Sequence, residues 1–176
     1  MRQSHAPQEV ANVLRELGAQ RIAIDGTDGS GKSTLAQELG TELGVKVLHL
    51  DDFVAKNRDT YIANLDKVKL SRALASAEPF IVEGVCLLQA LDVLSIKVDA
   101  LVYVKRMSHG YWSDEGRLDF QIPLEEYLAQ LRETVRPMAE ALGESGDLGL
   151  SEEIIRYHAA YRPHERATLA YLRTDA

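Results

Sequence analysis

Short apolar runs alternate with longer amphipathic stretches along most of the chain. Four runs rich in β-branched and other apolar residues predict buried strands, at 21–25, 45–50, 80–83 and 100–104. Helical spacing of apolar residues predicts helices at 10–17, 35–43, 70–77, 85–94 and 124–142. Residues 167–173 fit a strand or a helix. Strands that alternate with helices predict an α/β fold, with a parallel sheet covered by helices on both faces.

Length and composition narrow the class of protein. A chain of 176 residues favours a single domain spanning 1–176. The net charge of −7 argues against a nucleic-acid partner and against an anionic membrane surface. Cys86 is the only cysteine, and neither a signal peptide nor a run of eighteen uncharged apolar residues is found. We therefore expect a cytoplasmic protein, and its oligomeric state is left open.

Residues 26–33 read Gly-Thr-Asp-Gly-Ser-Gly-Lys-Ser, which is the complete pattern G-x-x-x-x-G-K-[ST]. A predicted strand precedes this run and a predicted helix follows it. Glycines let backbone N–H groups turn towards phosphate oxygens, and the N-terminal end of the helix favours the same negative charge. The run therefore predicts a phosphate-binding loop for ATP, in which Lys32 reaches the β- and γ-phosphates and the Ser33 hydroxyl binds Mg²⁺. The predicted ATP-binding residues of this loop are Gly26, Thr27, Asp28, Gly29, Ser30, Gly31, Lys32, Ser33 and Thr34.

Carboxylates follow two other predicted strands. Asp51 and Asp52 come directly after the second strand, and Glu83 ends the third. In open α/β sheets, ligands bind outside the carboxyl ends of the strands. A carboxylate after the second strand can accept the proton of a substrate hydroxyl or hold Mg²⁺ through water, and Glu83 is a candidate ligand of Mg²⁺.

The phosphate loop, the run Leu50-Asp51-Asp52-Phe53 and the run Ile81-Val82-Glu83-Gly84 together resemble the uridine kinase family of P-loop kinases. Members of that family phosphorylate a hydroxyl group of a small molecule with ATP. The resemblance implies that Asp51, in its D-x-F setting, is the general base, and that Glu83 helps to hold magnesium. It also places Asp52 and Phe53 at the binding site of the small-molecule acceptor.

The same resemblance implies the three-layer fold of P-loop nucleotide-binding proteins. Its parallel sheet has five strands in the order 2-3-1-4-5, and residues 167–173 form the fifth. Nucleoside-phosphorylating members carry a long insertion between the second and third strands. Here residues 53–80 suffice only for a loop or short lid, expected at 54–64, and one helix.

The stretch after the fourth strand is polar and of mixed charge, and it contains Gly110 and Gly116. We expect a mobile connection there, with a lid at residues 105–120 that closes over the nucleotide. Arg106 and Arg117 are then candidate ATP-binding residues, because a planar guanidinium suits bidentate contact with phosphate.

Two other functions stay open at the level of the sequence. The phosphate loop also resembles that of thymidylate kinase, so a nucleoside monophosphate kinase is one alternative. A protein that binds a nucleotide without transferring phosphate, as a sensor, is the other. The N-K-x-D motif that a GTPase uses to read the base is absent from the sequence.

Overall fold

A central sheet carries the phosphate-loop sequence on one of its inner strands. The computed structural model describes residues 1–55, 60–143 and 146–174. Within them the strands are β1 (Arg2–Ser4), β2 (Arg21–Gly26), β3 (Lys46–His49), β4 (Phe80–Gly84), β5 (Ala100–Ser108), β6 (Tyr111–Trp112) and β7 (Leu169–Thr174). Their order across the sheet is β1-β7-β5-β2-β4-β3, and β6 pairs with β5 as a short hairpin. All pairings are parallel except that of β5 with β6.

Helices lie on both faces of this sheet. They are α1 (Pro7–Glu16), α2 (Lys32–Leu43), α3 (Lys67–Ala77), α4 (Leu87–Val93), α5 (Glu115–Leu118), α6 (Leu124–Leu142), α7 (Leu150–Tyr161) and α8 (Pro163–Arg166). Two short 3-10 turns, Leu50–Phe53 and Ile62–Asn64, follow β3 and precede α3. No helix in the described part of the chain has the length and apolar character needed to cross a bilayer.

Alternation of side chains along the strands divides the core into two clusters. Ile22 and Ile24 of β2 pack with α1 and α2 on one face, whereas Ala23 faces the opposite cluster, to which α3, α4, α6 and α7 contribute. Successive side chains of a strand point to opposite faces, so a strand that is buried on both sides reads as a continuous apolar run. This explains why the inner strands were recognisable from composition alone.

The expectation of a five-stranded sheet is wrong, because the structure has seven strands among its described residues. The N-terminal β1 extends the sheet beyond β7, and β6 adds the hairpin, so the complete order differs from the predicted one. Neither added strand has more than three residues, and periodicity cannot detect runs that short. Residues 80–84 do lie between the strands at 46–49 and 21–26.

Three further predicted segments have clear outcomes. Residues 169–174 are a strand, as the resemblance implied. The fourth predicted strand is longer than expected, because β5 continues to Ser108 and turns into the hairpin with β6, so it includes the first residues of the expected connection. Of the loop expected at 54–64, residues 56–59 lie outside the described residues. The remainder includes the 3-10 turn at Ile62–Asn64.

Candidate active site

The phosphate-binding sequence forms a tight loop between β2 and α2. Gly26 and Gly31 have φ angles of +156° and +97°, which residues other than glycine rarely adopt. A Cβ atom at Gly31 would lie 2.6 Å from Nη1 of Arg173, so a side chain at this position would displace the arginine. The Nζ atom of Lys32 donates to the carbonyl oxygen of Thr27 at 2.7 Å, inside the loop. The glycines thus let the backbone wrap around a buried ammonium group.

A cavity of about 350 Å³ opens at the carboxyl ends of the strands, beside this loop. The predicted site residues that line it are Asp28, Gly29, Gly31, Lys32, Ser33, Thr34, Asp51 and Glu83. Because β2, β3 and β4 are parallel neighbours, their carboxyl ends meet at one edge of the sheet. The topology therefore brings together groups that are far apart in sequence.

Burial sets the electrostatics of this cavity. Desolvation lowers the pKa of the Lys32 ammonium, and the nearby carboxylates of Glu83 and Asp25 act in the opposite direction. A buried lysine is costly unless it is compensated by such charges. The negative groups around Lys32 therefore favour its cationic form, which is the form that a phosphate needs.

Two side-chain oxygens that could act as metal ligands, those of Ser33 and Glu83, lie together in the cavity. Ser33 Oγ donates to Glu83 Oε1 at 3.0 Å, and Nδ1 of His49 donates to the same oxygen at 2.6 Å. Hydroxyl and carboxylate oxygens are the ligands that Mg²⁺ prefers, so the donor set fits the predicted metal. His49 orients the Glu83 carboxylate, as a second-layer partner of a metal ligand does.

Asp51 lines the same cavity from the 3-10 turn that follows β3, Leu50–Phe53. Its Oδ1 atom accepts a hydrogen bond from the phenol of Tyr61, which lines the same cavity. Asp51 is exposed, so its carboxylate is accessible to a ligand that enters the cavity. A carboxylate in this place can accept a proton from a hydroxyl group.

A buried carboxylate, that of Asp25, is hydrogen-bonded to the first residue of the phosphate loop. Asp25, the residue before Gly26, accepts a hydrogen bond from the Gly26 N–H at 2.7 Å and another from the phenol of Tyr157. The Tyr157 oxygen in turn accepts the N–H of Leu88 at 3.1 Å. Complete burial raises the pKa of Asp25 to about 6, although both hydrogen bonds act to lower it. This chain of contacts ties the base of the loop to α7 and α4.

The hairpin after β5 contacts the loop through one buried side chain. Asp114 accepts hydrogen bonds from Thr27 Oγ1 at 2.8 Å and from Arg117 Nη2 at 3.2 Å. Arg117 is thus attached to the phosphate loop indirectly, through a carboxylate.

Arg106 pairs with Arg173 in the parallel register of β5 and β7, which places both arginines on one face of the sheet. Among the described residues that line the cavity, the arginine is Arg173 rather than Arg106 or Arg117.

The two residues that follow Asp51 lie away from the cavity. Phe53 is 7% exposed and packs into the core, with the Nζ atom of Lys69 5.1 Å from the centre of its ring. Asp52 is exposed, and its carbonyl oxygen accepts a hydrogen bond from Lys69. Neither is among the described lining residues of the cavity. Their assignment to acceptor binding has no geometric support from these contacts.

The structure adds site residues that the sequence analysis missed. They are Arg173, Tyr61, His49, Asp25, Tyr157 and Asp114. Arg173 is the penultimate residue of the last parallel strand, so the rule that ligands bind at carboxyl ends is sufficient to find it. Tyr61 and Asp114 carry no sequence signal, because each reaches the site from a connecting segment. Within the described ranges, no group of three or more histidine, cysteine or acidic side chains is arranged to hold a metal ion.

Comparison with known proteins gives only distant structural similarities. No protein-family model matches the chain, and no curated protein matches it. Among solved structures, shikimate kinase from Bacteroides thetaiotaomicron is similar at 15% identity, with a TM-score of 0.43, over 88% of this chain and 86% of that one. The protein TT1252 from Thermus thermophilus is similar at 20% identity, with a TM-score of 0.37, over 88% of both chains. Similarities this distant leave the function to be argued from the site itself.

Proposed function

We propose that this protein is an ATP-dependent phosphotransferase that transfers the γ-phosphoryl group to a hydroxyl group of a small molecule. The observation that carries the proposal is the cavity at the carboxyl edge of the sheet. It combines a complete phosphate loop, including Lys32, with two carboxylates from neighbouring strands, Asp51 and Glu83. A phosphate site alone would serve a nucleotide-binding protein. The exposed carboxylate opposite it adds the group that a phosphoryl acceptor needs.

The loop and Lys32 would bind and neutralise the phosphates. Backbone N–H groups of residues 27–33 and the N-terminal end of α2 favour negative charge, and Lys32 adds a full positive charge. Ser33 and Glu83 would hold Mg²⁺, which supplies further neutralisation of the phosphate oxygens when it is bound. Arg173, next to Gly29 and Gly31, adds a second cation at the rim of the loop.

Asp51 would act as the general base for the acceptor. Its carboxylate accepts the proton of the attacking hydroxyl, so that the oxygen becomes a better nucleophile as it approaches the phosphorus atom. The resemblance of residues 50–53 to the uridine kinase family supports an alcohol as the acceptor. Transfer to a nucleoside monophosphate requires further cations for the acceptor phosphate. The described lining of this cavity offers Lys32 and Arg173, and that of the larger cavity offers Lys67 and Arg156, of which Arg156 is already paired with Glu125 and Glu152.

A second, larger cavity offers space for the rest of the acceptor. It measures about 990 Å³ and is lined in part by Ile62, Tyr157 and Tyr161. Tyr61 lines the smaller cavity while its neighbours Thr60 and Ile62 line the larger, so the two adjoin across this segment. The lining also includes charged side chains, among them Lys67, Glu153 and Arg156, so the cavity suits a ring-bearing alcohol that carries further polar groups.

The setting that we propose is the cytoplasm, with a small molecule rather than a macromolecule as the partner. A net charge of −7 disfavours nucleic acid and anionic lipid, and a single cysteine is compatible with a reducing compartment.

A coupled assay of ADP release tests the proposal. Mg-ATP is supplied with nucleosides, pantothenate, sugars, sugar phosphates and nucleoside monophosphates, each in a separate reaction. We expect at least one uncharged alcohol to raise ADP release above the rate with water alone. ATP binding without stimulation by any compound would favour the nucleotide sensor. Stimulation by nucleoside monophosphates alone would favour the other kinase class.

A further inference from the structure

The proposed general base, Asp51, already accepts a hydrogen bond from a hydroxyl group of the protein itself. The phenol of Tyr61 donates to Oδ1 of Asp51, inside the cavity that the phosphate loop lines. Burial and the Asp51 carboxylate both raise the pKa of the Tyr61 phenol, so it stays protonated and remains a donor. The phenol thus occupies one of the acceptor positions that Asp51 offers to the hydroxyl of a bound molecule.

The segment that carries Tyr61 is fixed to the body of the protein on both sides. The Glu153 carboxylate of α7 accepts the N–H of Tyr61 at 2.6 Å and that of Ile62 at 2.9 Å. On the other side, Val54 and Leu65 form an antiparallel bridge, and Asp66 N–H donates to the carbonyl of Phe53 at 2.7 Å. Because its backbone is held in this way, the contact between Tyr61 and Asp51 is a built feature of the fold.

We propose that Tyr61 determines which molecule can act as phosphoryl acceptor, because its phenol competes with water for Oδ1 of the exposed Asp51 carboxylate. The inference rests on the proposed function. A water molecule that reaches an active base beside a bound triphosphate can hydrolyse the triphosphate, and enzymes exclude water from such sites. A hydroxyl that takes the place of the phenol at Oδ1 has to displace it.

An alcohol and water differ in their ability to displace the phenol. An alcohol replaces one hydrogen bond by another, and the rest of the molecule gains contacts in the adjoining cavity of about 990 Å³. Binding energy from groups remote from the reaction can offset such a rearrangement. A water molecule gains no such contacts, so it leaves the Tyr61–Asp51 pair in place.

The test uses Mg-ATP alone, with water as the only acceptor, and needs no knowledge of the alcohol. Tyr61→Phe keeps the ring and removes the hydroxyl. Because a hydrogen bond to a charged group is then lost, hydrolysis should rise about tenfold or more. Adding Asp51→Asn to Tyr61→Phe should return the rate to that of the wild type. Tyr127→Phe is the control. The ring of Tyr127 stacks on that of Phe120, and Tyr127 is not among the described lining residues of either cavity. An unchanged or lower rate in Tyr61→Phe would overturn the inference.

A second variant separates the hydroxyl from the segment that carries it. Glu153→Gln keeps the phenol but removes the charge that holds its backbone, so its hydrolysis should rise less than that of Tyr61→Phe. A larger rise would assign the shielding to the segment as a whole and contradict a role for the hydroxyl. Intact mass spectrometry of the wild type after incubation with Mg-ATP adds a further check. A gain of one phosphoryl group at Tyr61 would make the tyrosine an acceptor itself, which also contradicts the inference.

The inference and the proposed function fail differently. If Tyr61→Phe leaves hydrolysis unchanged while ATP binds and an alcohol is phosphorylated, only the role of Tyr61 is wrong. If the wild type does not bind Mg-ATP in titration calorimetry, the proposed function is wrong and the inference falls with it.

Discussion

The two sides of the cavity are built in different ways. The phosphate side comes from one continuous stretch, residues 26–33, placed by the end of β2 and the start of α2. The other side is assembled from Asp51 after β3 and from Tyr61 in a connecting segment, whose backbone is held by Glu153 of α7 from outside this cavity. Phosphate recognition depends on backbone N–H groups and is therefore local in sequence. Recognition of an acceptor depends on side chains that only the tertiary structure brings together.

The two sides also differ in burial. Lys32 is 7% exposed and Asp25, beneath the loop, is fully buried, whereas Asp51 is exposed. A buried site loses much of its function when one charge is removed, because nothing in solvent can replace that charge. An exposed carboxylate can be replaced with little effect on the fold. Substitutions on the two sides should therefore differ in kind as well as in size.

The largest effect is expected on the phosphate side. Lys32→Ala should lower turnover by about 10³-fold and weaken ATP binding, because it removes the positive charge at the transferring phosphoryl group. Lys46→Ala is the matched control, since Lys46 is an exposed lysine at the N-terminal end of β3, whereas the cavity lies at the carboxyl ends of the strands. ATP affinity and turnover in Lys32→Ala equal to those of the control would contradict the assignment of the loop.

The buried carboxylate beneath the loop should appear in the pH dependence of stability. Its pKa is raised to about 6 in the fold, so folding favours the protonated carboxyl. The stabilisation is complete below the pKa of the unfolded chain, near 4, and is lost as the pH rises through about 6. Over that range the contribution of Asp25 to the free energy of unfolding should fall by about 3 kcal/mol.

A comparison of variants isolates this contribution, because His158 acts in the opposite direction. Burial lowers the pKa of His158 to about 4, so its neutral form favours stability as the pH rises. Denaturant unfolding at several pH values should show the advantage of the wild type over Asp25→Asn shrinking between pH 4 and 7. For His158→Gln the advantage should grow over the same range. A constant difference between the wild type and Asp25→Asn would show that Asp25 is ionised in the fold.

A smaller effect is expected in the hairpin segment, residues 105–120. The contact of Asp114 with Thr27 links this segment to the phosphate loop. Hydrogen exchange of the segment should therefore slow several-fold when a nonhydrolysable ATP analogue and Mg²⁺ are added. Peptides from α3, which contributes no described residue to the lining of the cavity beside the loop, provide the internal control. Equal exchange with and without the analogue would argue against a lid.

The sequence was informative where structure depends on neighbours along the chain. The inner strands, the phosphate loop, α2 and its end at Gly44, with a φ angle of +67°, follow from local patterns. Asp51 and Glu83 were found because parallel strands end at one edge of the sheet. Two strands of two and three residues were missed, since runs that short have no periodicity to detect.

The rest of the site depends on contacts that no local pattern encodes. Tyr61 meets Asp51 because Glu153, ninety-two residues from Tyr61, holds its backbone. Phe53 was assigned to acceptor binding from its place in a motif, yet its ring fills the core. Arg106 and Arg117 were chosen for charge and position, whereas register places Arg173 at the loop.

The central claim is that Asp51 activates a hydroxyl beside the phosphate loop, and one pair of variants tests it most directly. Asp51→Asn should lower kcat for phosphorylation of the alcohol by about 10²–10⁴-fold, the usual contribution of a general base. Its affinity for ATP should stay within a few-fold of the wild type, because the loop is untouched. Asp52→Asn, which changes the adjacent exposed carboxylate, should leave kcat nearly unchanged and affect mainly the acceptor KM or stability. Normal kcat in Asp51→Asn, or a collapse of kcat in Asp52→Asn alone, would contradict the account.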